Sequence, residues 1–233
     1  IHDCEGDKGN SGPVAIAAGT DGGLGNTWSI LNNIVYNFIE GSNDSAAGLM
    51  FRKFRGTLNV YNNTVYKITA NGGSKDATGL KCGYYTNNVP NIKNNIVAGL
   101  TASDQKHAFT IESNVSSYSV GTNLSDDTAD AAETAQTMGR AYNSTVNPEA
   151  LVGKTLVEIA FVNTVGGSED LHLAAGSVCR EAGTDIGTTN GVNIDINGVD
   201  RNATDVTWDM GAHQASVVES STSGKALLMF LDI

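Results

Sequence analysis

Residues 30–36 have the sequence ILNNIVY, which returns as VYNNTVY at residues 60–66 and as IKNNIV at residues 92–97. A weaker fourth copy, VGTNLS, occupies residues 120–125. A second element, with the sequences GLMF, GLKC and AFTI, begins at positions 48, 79 and 108, in constant phase with the later copies. Two elements that keep one phase define an internal repeat of about 30 residues, a period typical of solenoid proteins.

Aligning the repeats produces columns of similar side chains. The two apolar columns of the second element are Leu49, Leu80 and Phe109, and then Phe51, Cys82 and Ile111. These columns are separated by one residue, so alternate positions are apolar, as the inward face of a β-strand requires. We expect the residues between and after them to face solvent.

The first element supplies one apolar column and one polar column. The apolar column consists of Ile30, Val60, Ile92 and Val120, and the polar one of Asn33, Asn63, Asn95 and Asn123. Asparagine tolerates the left-handed conformation of a strand bend, and its amide can bond to the amide one coil away, roughly 4.8 Å along the axis. The alignment therefore predicts a stacked asparagine ladder.

These columns predict an all-β fold, a right-handed parallel β-helix (solenoid), over residues 1–127. Leucine-rich repeats would have a shorter period, and propeller blades would carry Gly-His and Trp-Asp marks; the sequence shows neither. We expect residues 128–215 to hold the terminal coil or coils and a non-repeating C-terminal cap, followed by a linker and an apolar tail at residues 216–233.

Composition excludes several partners. The chain has 14 Lys and Arg against 25 Asp and Glu, for a formal net charge of -11, so nucleic acid and anionic membranes should repel it. No apolar run approaches 18 residues, so we expect no membrane insertion. Cys4, Cys82 and Cys179 are too few and too widely spaced for a disulfide framework or a zinc site, and we expect buried, inert thiols.

The C-terminal part carries a series of short motifs. They are FVN at 161–163, EDLHLAAGS at 169–177, AGTD at 182–185, DINGVDR at 195–201 and WDMGAH at 208–213. In order and spacing they resemble the C-terminal end of bacterial and bacteriophage right-handed β-helix proteins, the pectin-lyase-like superfamily in its broad sense. The resemblance implies the architecture; the superfamily includes polysaccharide lyases, hydrolases, adhesins and phage fibre or capsid-surface proteins. The chain departs from the pattern at Cys179, Arg180 and Gln214.

A solenoid needs a cover for its last coil, which otherwise exposes unpaired backbone groups and an apolar core. We expect the C-terminal motifs to form that cover, with Trp208, Leu171 and Leu173 as its apolar side chains.

The acidic part of the motifs allows two interpretations. Asp195, Asn197, Asp200 and Arg201 could form a calcium loop or a structural, salt-bridged turn. The twelve-residue loop with a terminal Glu that an EF-hand needs is absent, so we expect the structural turn.

Catalysis on this fold would need carboxylates, or a base beside calcium, on one outward strand face. The best candidate binding group on such a face comprises Arg52, Lys53, Arg55, Lys81 and Glu112. No aligned pair of aspartates accompanies these residues, and the four histidines show no metal-ligand spacing. We therefore predict no catalytic residues, no metal site and no cofactor.

The sequence favours a non-catalytic extracellular or virion-surface protein, a structural or appendage rod that binds a glycan, further copies of itself or neighbouring subunits. The alternative is a polysaccharide lyase or glycoside hydrolase, or a fragment of one, that acts on an acidic polysaccharide. The apolar tail contains Leu227, Leu228, Met229, Phe230 and Leu231. Because such a run is an aggregation hazard in water, we expect it to be buried, either as an added strand on its own solenoid or as a β-strand added to a neighbouring chain, and we favour the neighbour.

Overall fold

The computed structural model describes residues 2–6, 14–18, 26–40, 45–52, 56–73, 75–83, 88–111, 115, 119–126, 140–141, 154–203 and 207–215. Within these residues the chain is all-β, and most strand pairs are parallel, as the repeat predicts. Three parallel sheets, named A, B and C below, account for the coils.

Strands are numbered in chain order. Sheet A contains β1 (His2–Gly6), β4 (Ile34–Glu40), β7 (Thr64–Ala70), β10 (Ile96–Ala98), β11 (Thr101–Ala102) and β14 (Leu124–Ser125). Sheet B contains β2 (Val14–Ala18), β5 (Ala46–Arg52), β8 (Ala77–Gly83), β12 (Lys106–Ile111) and the antiparallel β15 (Arg140–Ala141). Sheet C contains β3 (Thr27–Leu31), β6 (Gly56–Tyr61), β9 (Asn88–Lys93) and β13 (Ser119–Gly121).

The chain visits these sheets in a fixed cyclic order. Strands β5, β6 and β7 lie in sheets B, C and A, and β8, β9 and β10 repeat that order one layer further along. Hydrogen-bonded asparagines in successive layers are 30, 32 and 28 residues apart in the chain. This arrangement is consistent with a β-helix whose coil length matches the sequence repeat.

The strand register confirms the apolar columns. Leu80 pairs with Leu49 on one side and with Phe109 on the other, while Cys82 pairs with Phe51 and Ile111 in the same strands. All of these side chains are buried in one apolar core. In sheet C the paired residues are Ile30, Val60, Ile92 and Val120.

The polar column forms a continuous hydrogen-bonded ladder. The Nδ2 group of Asn33 donates to Asn63 Oδ1 at 3.0 Å, that of Asn63 to Asn95 Oδ1 at 2.9 Å, and that of Asn95 to Asn123 Oδ1 at 2.8 Å. Each donor residue also sends its backbone N–H to the same oxygen. Each of these amides therefore bonds to the amide one coil away.

The left-handed residues of the bend are not the ladder asparagines, contrary to the prediction. They are the residues immediately before them, Asn32, Asn62, Asn94 and Thr122, with φ of 56°, 56°, 57° and 33°. The bend between sheets C and A has two residues with different tasks. The first turns the chain, and the second places its amide in the ladder.

Residues 154–215, named the C-terminal segment, do not repeat. The segment contains α1 (Leu156–Ile159), the antiparallel strands β16 (Phe161–Asn163) and β17 (Asp170–Leu173), and a 3-10 turn (Thr189–Gly191). The helix begins with a capping box, in which Thr155 and Glu158 bond to each other's backbone N–H groups. Turns and single bridges make up most of the remainder.

Candidate functional site

Most of the predicted binding group on sheet B lies outside the residues that the structure describes. Lys81 lies half-buried in β8, and the backbone of Arg52 ends β5 opposite Gly83. The side chain of Arg52, and residues Lys53, Arg55 and Glu112, lie outside the described part of the chain. The same is true of the tail at residues 227–231, so both hypotheses stay predictions.

The C-terminal segment packs along the side of the coils, while its role as a cover for the last coil stays a prediction. Its apolar residues pack on the outer face of sheet A. The coils contribute Tyr66, Ile96, Ala98 and Leu124 to this contact. The segment contributes Ile159, Phe161, Leu171, Leu173, Cys179 and Met210. The physical reason is that both faces of sheet A are apolar, so the outer one also needs a cover.

Close contact at this junction depends on a glycine. The backbone N–H of Gly211 donates to Asn94 O at 2.7 Å, and the next N–H, of Ala212, donates to Thr64 Oγ1 at 3.1 Å. A Cβ atom on Gly211 would lie 2.7 Å from both Ile96 Cδ1 and Thr64 Oγ1, and its φ of +83° is left-handed. Any other residue there would have a strained backbone and would force neighbouring side chains to shift.

The left-handed asparagines fasten the segment to three successive coils. Their Nδ2 groups donate to backbone carbonyls of the segment, with Asn32 to Ile194 O at 2.6 Å, Asn62 to Val192 O at 3.1 Å and Asn94 to Thr184 O at 2.8 Å. Thr122 takes the equivalent place in the next coil and bonds to the Thr184 hydroxyl at 2.6 Å. The bend thus supplies one polar attachment per coil.

Arg201 is the centre of a buried network inside the segment. Its side chain is fully buried, and its guanidinium donates to five oxygen atoms. Three are backbone carbonyls, of Asp209 at 3.2 Å, Gly211 at 2.9 Å and His213 at 3.3 Å. The other two are side-chain oxygens, Gln214 Oε1 at 3.2 Å and Asn32 Oδ1 at 3.4 Å. Burial lowers the pKa of Arg201 to about 10, against the effect of the nearby carboxylates of Asp195 and Asp209. The residue still carries its charge at neutral pH.

The two buried carboxylates bond to the backbone. Asp195 Oδ1 accepts from the N–H groups of Asn197 and Val199, at 2.8 and 2.7 Å, and its Oδ2 accepts from that of Gln214 at 2.9 Å. Asp209 accepts from the N–H groups of Glu181 and Ala215. Burial raises the pKa of Asp209, and these backbone bonds oppose that rise.

Side-chain-to-backbone hydrogen bonds of Asp195, Arg201 and Asp209 hold the expected structural turn, and its salt bridge stays a prediction. Backbone N–H groups bond to the two carboxylates, whereas Arg201 donates to three backbone carbonyls and to two side-chain oxygens. Among the described residues, no group of three or more His, Cys, Asp and Glu side chains could hold a metal ion.

Two histidines that are 41 positions apart in the sequence stack on each other at the edge of this network. The rings of His172 and His213 are 3.7 Å apart at 27°. His172 Nδ1 bonds to Asp170 Oδ1, while Asn197 Nδ2 lies 2.9 Å from His172 Nε2. His172 is exposed, as its alternation with Leu171 and Leu173 indicates, but His213 is only 6% exposed.

The two histidine environments have different electrostatic consequences. Burial lowers the pKa of His213 to about 4, and the neighbouring His172 ring adds to that effect. Burial alone would raise the pKa of Asp170, but the hydrogen bonds from His172 bring it below its ordinary value. An Asp–His pair can relay a proton through the Nε2 atom of its histidine. In this pair Asn197 occupies the position next to Nε2 of His172.

A cleft of about 200 Å³ opens where the C-terminal segment overhangs sheet C. Its lining residues are Ser29 and Leu31 of β3, Asn59 and Tyr61 of β6, and Ile186, Thr189, Asn190 and Val192 of the segment. Asn190 Nδ2 donates to Ser29 Oγ at 3.2 Å, which joins the two walls. This cleft is our candidate functional site.

Sequence reasoning missed the cleft, the histidine pair and the attachment role of the left-handed asparagines. One signal was available, because each ladder asparagine but the last follows a second asparagine in the repeat. The predicted burial of thiols holds for Cys82 and Cys179, and burial raises the pKa of Cys179 to about 12.

Comparison of the chain with protein families, with curated proteins and with solved structures finds no match. The resemblance of the C-terminal motifs to pectin-lyase-like proteins therefore stays a prediction. In the described part of the chain, no helix is long and apolar enough to cross a membrane.

Proposed function

We propose that this chain is a right-handed parallel β-helix of the pectin-lyase-like kind and a non-catalytic structural or appendage protein of an extracellular or virion surface. One observation carries the proposal: three charged residues of the C-terminal motifs, Asp195, Arg201 and Asp209, are buried and bonded to the chain's own backbone. In this chain these residues serve the architecture.

The attachment of the segment supports a scaffolding role. Because Asn32, Asn62 and Asn94 belong to three successive coils, separating these coils would break their bonds to the segment as well as the asparagine ladder. A rod braced in this way suits a protein that presents a surface to a glycan or to neighbouring subunits. Self-association through residues 227–231 is part of the same proposal.

The competing function is cleavage of an acidic polysaccharide by the outward face of sheet B. The test incubates the full chain with polygalacturonate and with alginate, with calcium present, and follows the absorbance of unsaturated products and the release of reducing ends. We expect neither, since a net charge of -11 opposes binding of polyanions. If the full chain shows turnover and Arg52→Ala does not, the chain is a lyase and the proposal of a non-catalytic structural protein is wrong.

A further inference from the structure

The polar groups of the cleft between sheet C and residues 186–192 are hydroxyls and amides. They belong to Ser29, Asn59, Tyr61, Thr189 and Asn190, and the described residues that line the cleft carry no charge at neutral pH. A hydroxyl both donates and accepts, and an amide offers one group of each kind. The aliphatic and aromatic surfaces of Leu31, Ile186, Val192 and Tyr61 complete the lining.

The floor of the cleft is oriented in advance by its own hydrogen bonds. Tyr61 donates its hydroxyl to Asn59 Oδ1 at 3.1 Å, and Asn91 Nδ2, one coil away, donates to the same atom at 2.9 Å. Because Oδ1 accepts both bonds, they fix the orientation of the Asn59 amide. Its other terminal group is Nδ2. Burial raises the pKa of Tyr61, which keeps its phenol protonated.

The overhanging wall is held in an uncommon backbone conformation. Asn190 and Gly191 are both left-handed, with φ of 59° and 72°. The chain is fastened directly after them, because Val192 is buried and its carbonyl accepts from Asn62. Left-handed residues that tertiary contacts hold in place are found at binding sites more often than elsewhere.

We propose that this cleft binds one pyranose unit of a neutral glycan. Asn59, Asn190 and Ser29 hydrogen bond to its hydroxyls, and the Tyr61 ring packs against its C–H surface. The inference rests on the proposed non-catalytic function and names its ligand class. A neutral ligand fits both the uncharged lining and the net charge of -11, which would repel acidic sugars.

Sheet C also offers a path for a longer chain. Ser29, Asn59, Asn91 and Ser119 occupy one register column on successive strands. Because neighbouring strands are about 4.8 Å apart, the column presents a polar group at every layer along the axis. A neutral polysaccharide therefore runs parallel to the coil axis, with one unit held in the cleft.

The test measures binding of the methyl glycosides of glucose, mannose, galactose and N-acetylglucosamine to the full chain by saturation-transfer NMR and calorimetry. We expect at least one of them to bind with a Kd in about the millimolar range, the strength typical of a single small ligand unit. Asn190→Gly should weaken it about tenfold, the factor for one net hydrogen bond, because Gly keeps the left-handed backbone and removes the amide. Asn71→Gly, at an exposed asparagine after β7, is the matched control.

Thr189→Val provides a second variant that leaves the left-handed residues unchanged, and it should also weaken binding. The proposal is overturned if none of the four glycosides binds, or if the sugar binds equally to wild type, Asn190→Gly and Thr189→Val. If the proposed non-catalytic function is wrong, the product assay should instead detect cleaved polysaccharide. Binding without cleavage, lost in both cleft variants and kept in Asn71→Gly, supports the site.

Discussion

The coils and the C-terminal segment bury their polar side chains by different means. In the coils, each amide of the asparagine ladder finds its partner in the equivalent residue one layer away. In the segment, Arg201 finds its partners in residues 8 to 13 positions further along and in Asn32, 169 positions away. The ladder contacts repeat from coil to coil, whereas each hydrogen bond of Arg201 occurs once.

This difference affects how stability is distributed. The coils spread it over many similar hydrogen bonds and over one long apolar core. The segment concentrates its polar contacts at Arg201 and at one attachment per coil. A substitution in the ladder should therefore weaken all the stacked layers, whereas one at Arg201 should loosen the segment alone.

The largest effect is expected for Asn95→Ala, in the middle of the ladder. Its Nδ2 group donates to Val60 O, Lys93 O and Asn123 Oδ1, and its Oδ1 accepts two bonds from Asn63. Alanine leaves these buried groups without partners, and we expect the free energy of unfolding to fall by about 4 kcal/mol. Denaturant unfolding followed by circular dichroism measures it.

The control for this change is Asn71→Ala, at an exposed asparagine, which should cost less than about 0.5 kcal/mol. Equal losses for Asn95→Ala and Asn71→Ala would show that the ladder contributes no more to stability than an exposed amide.

Next in size is Arg201→Met, which removes the donor of five hydrogen bonds while keeping an apolar chain of similar length. It leaves the carbonyls of Asp209, Gly211 and His213 buried and unbonded. We expect the opening free energy of amides in residues 184–215 to fall by about 3 kcal/mol, as measured by hydrogen exchange. Amides of Leu80 and Phe109 in sheet B should keep their protection.

Arg201→Lys is the matched variant, since it retains the charge but not the planar fork, and we expect an intermediate loss. If the amides of sheet B lose as much protection as the segment, the two regions unfold together and the distinction drawn above is wrong.

The smallest effect concerns pH and the stacked histidines. The folded protein holds His213 neutral with a pKa of about 4, whereas the unfolded chain has a value near 6.5. The unfolded state therefore binds more protons between these values, so this contribution is complete above about pH 6.5 and is lost as the pH falls towards 4. Lowering the pH from 7 to 5 should remove about 2 kcal/mol from the stability of the segment.

His213→Phe keeps an aromatic ring against His172 and removes the titrating group, so the segment's exchange rates should become less sensitive to acid. The groups that face His213 are His172, Asp170 and Asp195, with Arg201 bonded to its carbonyl. They remain in the variant, so the comparison isolates the contribution of His213. An unchanged acid response in His213→Phe would assign the effect to these neighbours.

The coil architecture was predictable because each residue of a repeat has equivalents one period away. Aligning the copies was enough to place Leu80 between Leu49 and Phe109, and to place the ladder asparagines in one column. The left-handed residue was misplaced by one position, because the pattern Asn-Asn does not show which of the two turns the chain. The choice depends on the direction in which each side chain leaves the bend.

The amino-acid sequence by itself determined the period, the inward columns and the all-β class, since these follow from local alternation repeated at a fixed spacing. Only the tertiary structure decided where the non-repeating segment lies and what it encloses. His172 meets His213, and Asn190 meets Ser29, because the segment packs on the outer face of sheet A and reaches sheet C. Such contacts join residues far apart in the chain, and no local pattern encodes the distance between them.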